Sequence, residues 1–373
     1  MSKSELQRAD IEAVLAEFKD PETGRSITQL EQVKAIQVEG ANVSLNLALT
    51  SHSAPIWEET RNKLETLLRS RLPGLSQVQI EISEHERPPV KLGQVGLTAK
   101  SVIVVGSGKG GVGKSTIAAS LALGLQRAGC KVGLMDADVY GPSIPHLLGA
   151  SGRPEVSEKQ IGSDEAGNPV VARRITPIDV GGLKVISIGF LVPADKAVIW
   201  RGPMLHGSIT SFLRDTDWGP LDYLVIDMPP GTGDVALTLS QSLPPTGAVI
   251  VCTPQDVALL DAVKAIRMFQ EVRIPVLGVV ENMSYFLCPD NGKRYNIFGN
   301  GGAKKKAQEF EIPFLGEIPI NIQLRVNGDE GNTGANFNVP EVASPLEKMC
   351  TQLVREIASK HQEEPPLPSL SVL

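Results

Sequence analysis

Eight consecutive residues, Gly108-Lys109-Gly110-Gly111-Val112-Gly113-Lys114-Ser115, restrict the fold of this chain more than any other feature. They match G-x-x-x-x-G-K-[ST], and the surroundings are right for the match. An apolar run at 102–105 precedes them, and Ile117, Leu121 and Leu125 follow at the spacing of one helix stripe. A strand that turns through a glycine loop into a helix is half of a strand-helix-strand unit, which requires a parallel partner strand. Candidate partners recur along the chain. Residues 132–135, 224–226, 248–251 and 276–280 are short and apolar, and Leu259, Val263 and Ile266 mark a helix between the last two runs. Apolar strands alternating with helices predict a mostly parallel sheet covered by helices on both faces, the α/β fold of P-loop nucleotide hydrolases.

The glycines have a chemical reason. Without Cβ atoms, backbone N–H groups can curl around a phosphate chain, and the following helix N-terminus adds the positive end of its dipole. The candidate nucleotide-binding residues are therefore Gly108, Lys109, Gly110, Gly111, Val112, Gly113, Lys114 and Ser115, with Thr116 behind them. Lys114 is expected on the β- and γ-phosphates of ATP and the Ser115 hydroxyl on magnesium. Two carboxylate motifs stand at strand ends, Asp136-Ala137-Asp138 and Asp227, at the carboxyl edge where open parallel sheets bind ligands. Asp136 and Asp227 are expected to serve magnesium. An Asp at a strand end can also cap a helix, and that alternative stays open for Asp136 and for Asp234. The glycine-flanked run from Met228 to Asp234 suits a segment that responds to the γ-phosphate.

At 373 residues the chain has room for a second module, and 42% apolar with 21% charged residues is the composition of a globular protein. Ile11, Val14, Leu15 and Phe18 predict a helix ending near Asp20-Pro21. Val43, Leu45, Leu47 and Leu49, and later Val78, Ile80 and Ile82, alternate as half-buried strands around a helix marked by Leu64, Leu67 and Leu68. Residues 1–83 thus read as a small α/β domain with antiparallel strands. Pro88, Pro89, Gly93 and Gly96 make 84–100 a linker, and 101–361 form the ATPase domain. Within that domain, 150–200 read as an insertion of loops and short strands, and Leu346, Met349, Leu353 and Ile357 mark the last helix. Residues 362–373 read as a disordered tail.

A net charge of -6 argues against a chain that coats nucleic acid. The first twenty residues are polar and no apolar run approaches membrane-spanning length, so no membrane partner is expected. Four scattered cysteines, Cys130, Cys252, Cys288 and Cys350, fit free thiols in a reducing cytoplasm.

Lys109 sharpens the reading. An early lysine in Lys-Gly-Gly-Val-Gly-Lys-Ser resembles the signature lysine of the deviant Walker A ATPases, the group that includes nitrogenase iron protein and the septum-positioning and plasmid-partition ATPases. That resemblance implies a homodimer with nucleotide between the subunits, in which Lys109 reaches the partner's ATP. It further implies that Asp138 orients the attacking water beside Lys114, that Asp227 is the Walker B carboxylate, and that Asn282 recognises the base.

Within this group, four runs resemble the Mrp/ApbC branch, the iron-sulfur cluster carrier proteins. They are Asp-Ala-Asp-Val-Tyr-Gly-Pro-Ser (136–143), Trp200-Arg201-Gly202-Pro203-Met204, the segment from Asp227 to Asp234, and Glu281-Asn282-Met283-Ser284-Tyr285-Phe286. The likeness covers residues 100 to about 355. Asp20-Pro21-Glu22-Thr23-Gly24 resembles the small iron-sulfur assembly domain fused to many members. The resemblance implies an ATP-hydrolysing carrier that binds clusters and passes them to apoproteins, with apoproteins or assembly factors as partners and a four-iron cluster bridging two subunits.

The cysteines depart from the family pattern. Where the family carries Cys-Pro-x-Cys, this chain has Cys288-Pro289-Asp290-Asn291, and the small domain has Ala54 at a frequent cysteine position. Cys288 is the implied iron-sulfur ligand, and a symmetric dimer using it alone supplies two of the four thiolates such a cluster normally takes. Two other readings follow: an ATP-switched dimeric scaffold that holds no cluster, and a positioning ATPase. The second wants a basic amphipathic C-terminal helix, whereas this chain ends in Pro-Pro-Leu-Pro-Ser-Leu-Ser-Val-Leu.

Overall fold

The computed structural model describes residues 6–163, 169–191, 202–231 and 233–364. It divides the chain into two units: one takes the described residues of Met1–Pro88, Ala128–Cys130 and Val354–Leu373, the other Pro89–Arg127 and Lys131–Leu353. Trp200 and Arg201, Thr232, and the tail from 365 onward lie outside the described residues.

In the first unit, α1 (Arg8–Glu17) and α2 (Trp57–Arg71) lie with strands β1 (Val33–Glu39), β2 (Asn42–Leu49) and β3 (Gln77–Glu84). Alternation along β2 buries Val43, Leu45, Leu47 and Leu49 against Ile11 and Leu15 of α1 and Leu64 and Leu68 of α2. The sheet order is β1-β2-β3. Only β1 and β2 are antiparallel; β2 and β3 run parallel, which corrects the expectation of antiparallel strands. Because α2 lies between them it carries the chain back, so β3 starts from the same end as β2.

The second unit begins with the short strand β4 (Lys91–Leu92), antiparallel to β5 (Leu97–Gly106). After β5 come α3 (Lys114–Arg127), β6 (Val132–Asp136), α4 (Ile144–Leu147), the antiparallel hairpin β7 (Val156–Ser163) and β8 (Pro169–Ile175), then β9 (Ile178–Val180) and β10 (Leu183–Ser187). The rest is α5 (Gly202–Asp215), β11 (Leu221–Asp227), α6 (Gly233–Ser242), β12 (Gly247–Cys252), α7 (Asp256–Glu271), β13 (Val276–Glu281), β14 (Phe286–Leu287), β15 (Arg294–Tyr295), α8 (Gly302–Glu309), β16 (Phe314–Glu317), α9 (Ile322–Asp329) and α10 (Pro340–Glu363).

Nine strands form one sheet in the order β16-β13-β12-β5-β11-β6-β10-β9, with β4 on β5. Its pairings are parallel except at β9 and β4. Val102, Ile103, Val104 and Val105 are all fully buried, so this stretch of β5 has no solvent face. Each such side chain contributes about 1.5–3 kcal/mol by leaving water, which is why the run is continuous rather than alternating. Ile117, Leu121 and Leu125 of α3 are buried, as the stripe requires.

Three expectations need revision. The segment 84–100 is not wholly linker, since β4 lies in it and β5 begins at Leu97, with Leu97 and Ala99 buried. Residues 150–200 contain more than an insertion: β10 joins the main sheet beside β6. The last helix runs to Glu363, past the start assigned to the tail. No helix among the described residues is long and apolar enough to cross a membrane.

Candidate functional site

Between β5 and α3 the chain turns through Ser107 to Gly113. Gly111 and Gly113 both hold φ of +80°, the left-handed region that a Cβ penalises. At Gly113 a Cβ would also meet the Asn282 Nδ2 atom at 2.2 Å. Long-range bonds hold the turn from two sides. The Asn282 Nδ2 donates to the Val112 carbonyl at 2.9 Å, and the Gly231 N–H donates to the Ser107 carbonyl at 3.0 Å.

Lys114 opens α3 and is 6% exposed. Its Nζ donates to Asp227 Oδ1 at 2.6 Å and to the Ser115 hydroxyl at 3.2 Å, and lies 3.5 Å from Asp138 Oδ2. Burial pushes the Asp227 carboxyl pKa upward, and the Lys114 ammonium opposes that shift. Asp227 Oδ2 is buried and accepts no hydrogen bond among the described residues. An orphaned carboxylate oxygen beside a serine hydroxyl is the donor set a magnesium ion takes, so these residues fit the metal.

Asp136 and Asp227 end neighbouring strands in direct register. Asp136 is fully buried, and both its oxygens are engaged: Oδ1 accepts the Asp138 N–H at 3.0 Å, while Oδ2 accepts the Ile144 N–H at 3.2 Å and the Ser187 hydroxyl at 2.9 Å. Burial, then the nearby Asp227 charge, push its pKa up to about 7. Those bonds make Asp136 an anchor for the loop that leads to α4, rather than an open metal carboxylate. Asp138 Oδ1 accepts the N–H groups of Tyr140 and Gly141, each at 3.2 Å, which aims Oδ2 toward Lys114.

Lys109, Gly110, Gly111, Gly113, Lys114, Ser115, Thr116 and Asp138 line one cavity of about 310 Å³. Val112 is buried within the loop. Gly108 sits against α7, where a Cβ would meet the Asp261 carbonyl at 2.0 Å. The Lys109 ammonium has no hydrogen-bond or ion-pair partner among the described residues. Sequence reasoning missed Ser143 and His146, which line the same cavity, and Ser187, which holds Asp136. The 136–143 run signalled the first; nothing local signalled Ser187.

Cys288 lies apart from the phosphate loop, at the end of β14. β14 and β15 form a short hairpin closed by bonds from the Cys288 N–H to the Lys293 carbonyl at 3.0 Å and from the Gly292 N–H to the Cys288 carbonyl at 2.8 Å. Asn291 Oδ1 accepts the Lys293 N–H at 2.9 Å inside that turn. Cys288 is half-buried, whereas Cys130, Cys252 and Cys350 are buried, and burial pushes the last two thiols up to about 12. Among the described residues no group of three or more His, Cys, Asp or Glu is arranged to hold a metal ion.

Residues 98–358 match the family model described as NUBPL iron-transfer P-loop NTPase, and residues 8–82 match that of the iron-sulfur cluster assembly protein. The iron-sulfur cluster carrier protein of Deinococcus radiodurans is 43% identical over 92% of this chain and 91% of its own length. That of Escherichia coli K12 is 40% identical over 95% of this chain and 92% of its own. Among solved structures, a nucleotide-binding protein from Archaeoglobus fulgidus in complex with ADP is 44% identical, covering 63% of this chain and 88% of that one with a TM-score of 0.53.

Proposed function

The chain belongs to the iron-sulfur cluster carrier proteins of the P-loop NTPase class, and from that membership we propose that it binds and hydrolyses ATP as a homodimer and carries iron-sulfur clusters to apoproteins in the cytoplasm. The observation that carries the ATPase half is Lys114, held by Asp227 and flanked by Asp138 at the mouth of a glycine turn. The Archaeoglobus relative's ADP supports the same reading.

In this reading the loop N–H groups from Gly108 to Thr116 bind the phosphates, and Lys114 exchanges part of its pairing with Asp227 for the β- and γ-phosphate oxygens. Ser115 and Asp227 Oδ2 would hold magnesium, which would supply positive charge beside the phosphates. Asp138 orients the attacking water. Asn282 braces the loop through Val112, and contact with the base is a second role for it. Lys109, unpaired among the described residues, supplies its charge to the partner subunit's nucleotide, so turnover is slow until two copies meet.

Cargo is the second half. Cys288 from each of two copies gives two thiolates, and weaker donors or an external thiol complete the coordination, which suits a cluster that must be handed on. Asn291 and Ala54 favour a second reading, an ATP-switched scaffold without cargo. Iron and sulfide content with an absorption spectrum, on protein prepared without oxygen, decides between them: cluster bands bleached in Cys288→Ser support the carrier, and iron-free protein with intact ATP turnover supports the scaffold.

A further inference from the structure

Glu281 and Asn282 end β13, and their side chains reach in two directions. Asn282 donates to the Val112 carbonyl of the phosphate loop at 2.9 Å. Glu281, fully buried, accepts the Ser284 hydroxyl at 2.6 Å through Oε1 and the Ala303 N–H of α8 at 2.9 Å through Oε2. The helix N-terminus is thus already occupied by an internal carboxylate. Between these two anchors Met283 holds φ of +55°, a left-handed conformation that costs a non-glycine residue energy. Two residues later Tyr285 lies under the Arg294 guanidinium, 3.9 Å from the ring centroid, and Arg294 belongs to the returning strand of the Cys288 hairpin.

We propose that the segment 281–284 couples the phosphate loop to the Cys288 hairpin, with Asn282 reading the loop, Met283 as a strained hinge, and Glu281 as a positioning residue that acts through Ser284 and α8. Each contact is short, and all but the Tyr285 stack are hydrogen bonds between buried groups, so a shift of the Val112 carbonyl on phosphate binding has few ways to be absorbed. The strained residue is where such a shift is most easily released. No iron is needed for this coupling, so it stands or falls separately from the cargo reading.

The test follows Cys288 by its alkylation rate with iodoacetamide in the full chain, because the other three cysteines are buried. Saturating ATP with magnesium is expected to change that rate at least threefold. In Glu281→Gln and Met283→Gly the change is expected to shrink below about 1.5-fold, while ATP affinity measured separately stays within twofold of the parent. Ser284→Ala, which removes one hydroxyl, covers the case in which Glu281→Gln does not fold. A merely structural role would lower stability without erasing the nucleotide response. An unchanged alkylation rate in the parent with ATP demonstrably bound overturns the proposal, as does a full threefold response in the folded variants.

Discussion

The phosphate loop and the Cys288 hairpin are both read as working parts, yet they are built in opposite ways. Lys114 and Asp227 are buried, and bonds from distant segments hold the loop. The hairpin rests on two two-residue strands, and from Pro289 to Asn300 every residue is exposed. A group that must meet a developing charge gains from a fixed, water-poor setting, because reorganisation is then done in advance. A group that must release what it holds gains from exposure. The contrast predicts that substitutions of the buried, paired groups of the loop act on turnover and folding together, whereas substitutions in the hairpin act on cargo alone.

The harshest way to break that contrast is Lys114→Ala. Turnover, followed as phosphate release, should fall by at least about 100-fold, the usual loss when a preorganised charge is removed. The variant should also lose about 3 kcal/mol of stability in urea unfolding, because Asp227 is left as a buried carboxylate without its cation. A variant that turns over normally would remove Lys114 from the chemistry.

Lys109→Ala separates the two lysines. Having no partner among the described residues, Lys109 should leave the unfolding midpoint unchanged and ATP affinity within about tenfold, or 1.4 kcal/mol, while turnover drops by about 10-fold or more. Undiminished turnover would end the case for a lysine acting across a dimer.

On the hairpin side, Asn291→Cys should raise iron retained per dimer about twofold and lengthen its lifetime in air, because two thiolates become four. ATP turnover should stay within about twofold, since the turn contributes nothing to the phosphate cavity. A matching fall in turnover would mean the two regions share more than the 281–284 segment.

A further expected effect is a pH dependence of stability. Folding raises the Asp136 carboxyl from 3.8 to about 7. A carboxyl raised in this way favours the folded state most below the unfolded value, and that contribution is lost as pH rises through about 7. Relative to Asp136→Asn, the parent should therefore lose thermal stability between about pH 4 and pH 7. A constant difference across that window would mean that Asp136 is ionised throughout.

How much of this was legible depends on the range of the signal. The motif at 108–115 carries its own context in the flanking apolar run and helix stripe, so the turn, Lys114 and the carboxylates at strand ends could be read locally. Three features could not. β10 is a five-residue strand inside a stretch dominated by glycine, proline and charge, and only its pairing with β6 makes it part of the sheet. The direction of β3 follows from where α2 returns the chain. The engagement of Asp136 depends on Ser187, 51 residues away, and alternation or spacing carries no information about such a partner.

The amino-acid sequence by itself determined that a strand, a glycine turn and a helix would make a phosphate site on a mostly parallel sheet, because those preferences are local and backbone-driven. Only the tertiary structure decided what the polar side chains at the strand ends do. Asn282 meets Val112 across 170 residues and Glu281 meets Ala303 across 22, and a buried polar group takes whichever donor the fold brings within about 3 Å.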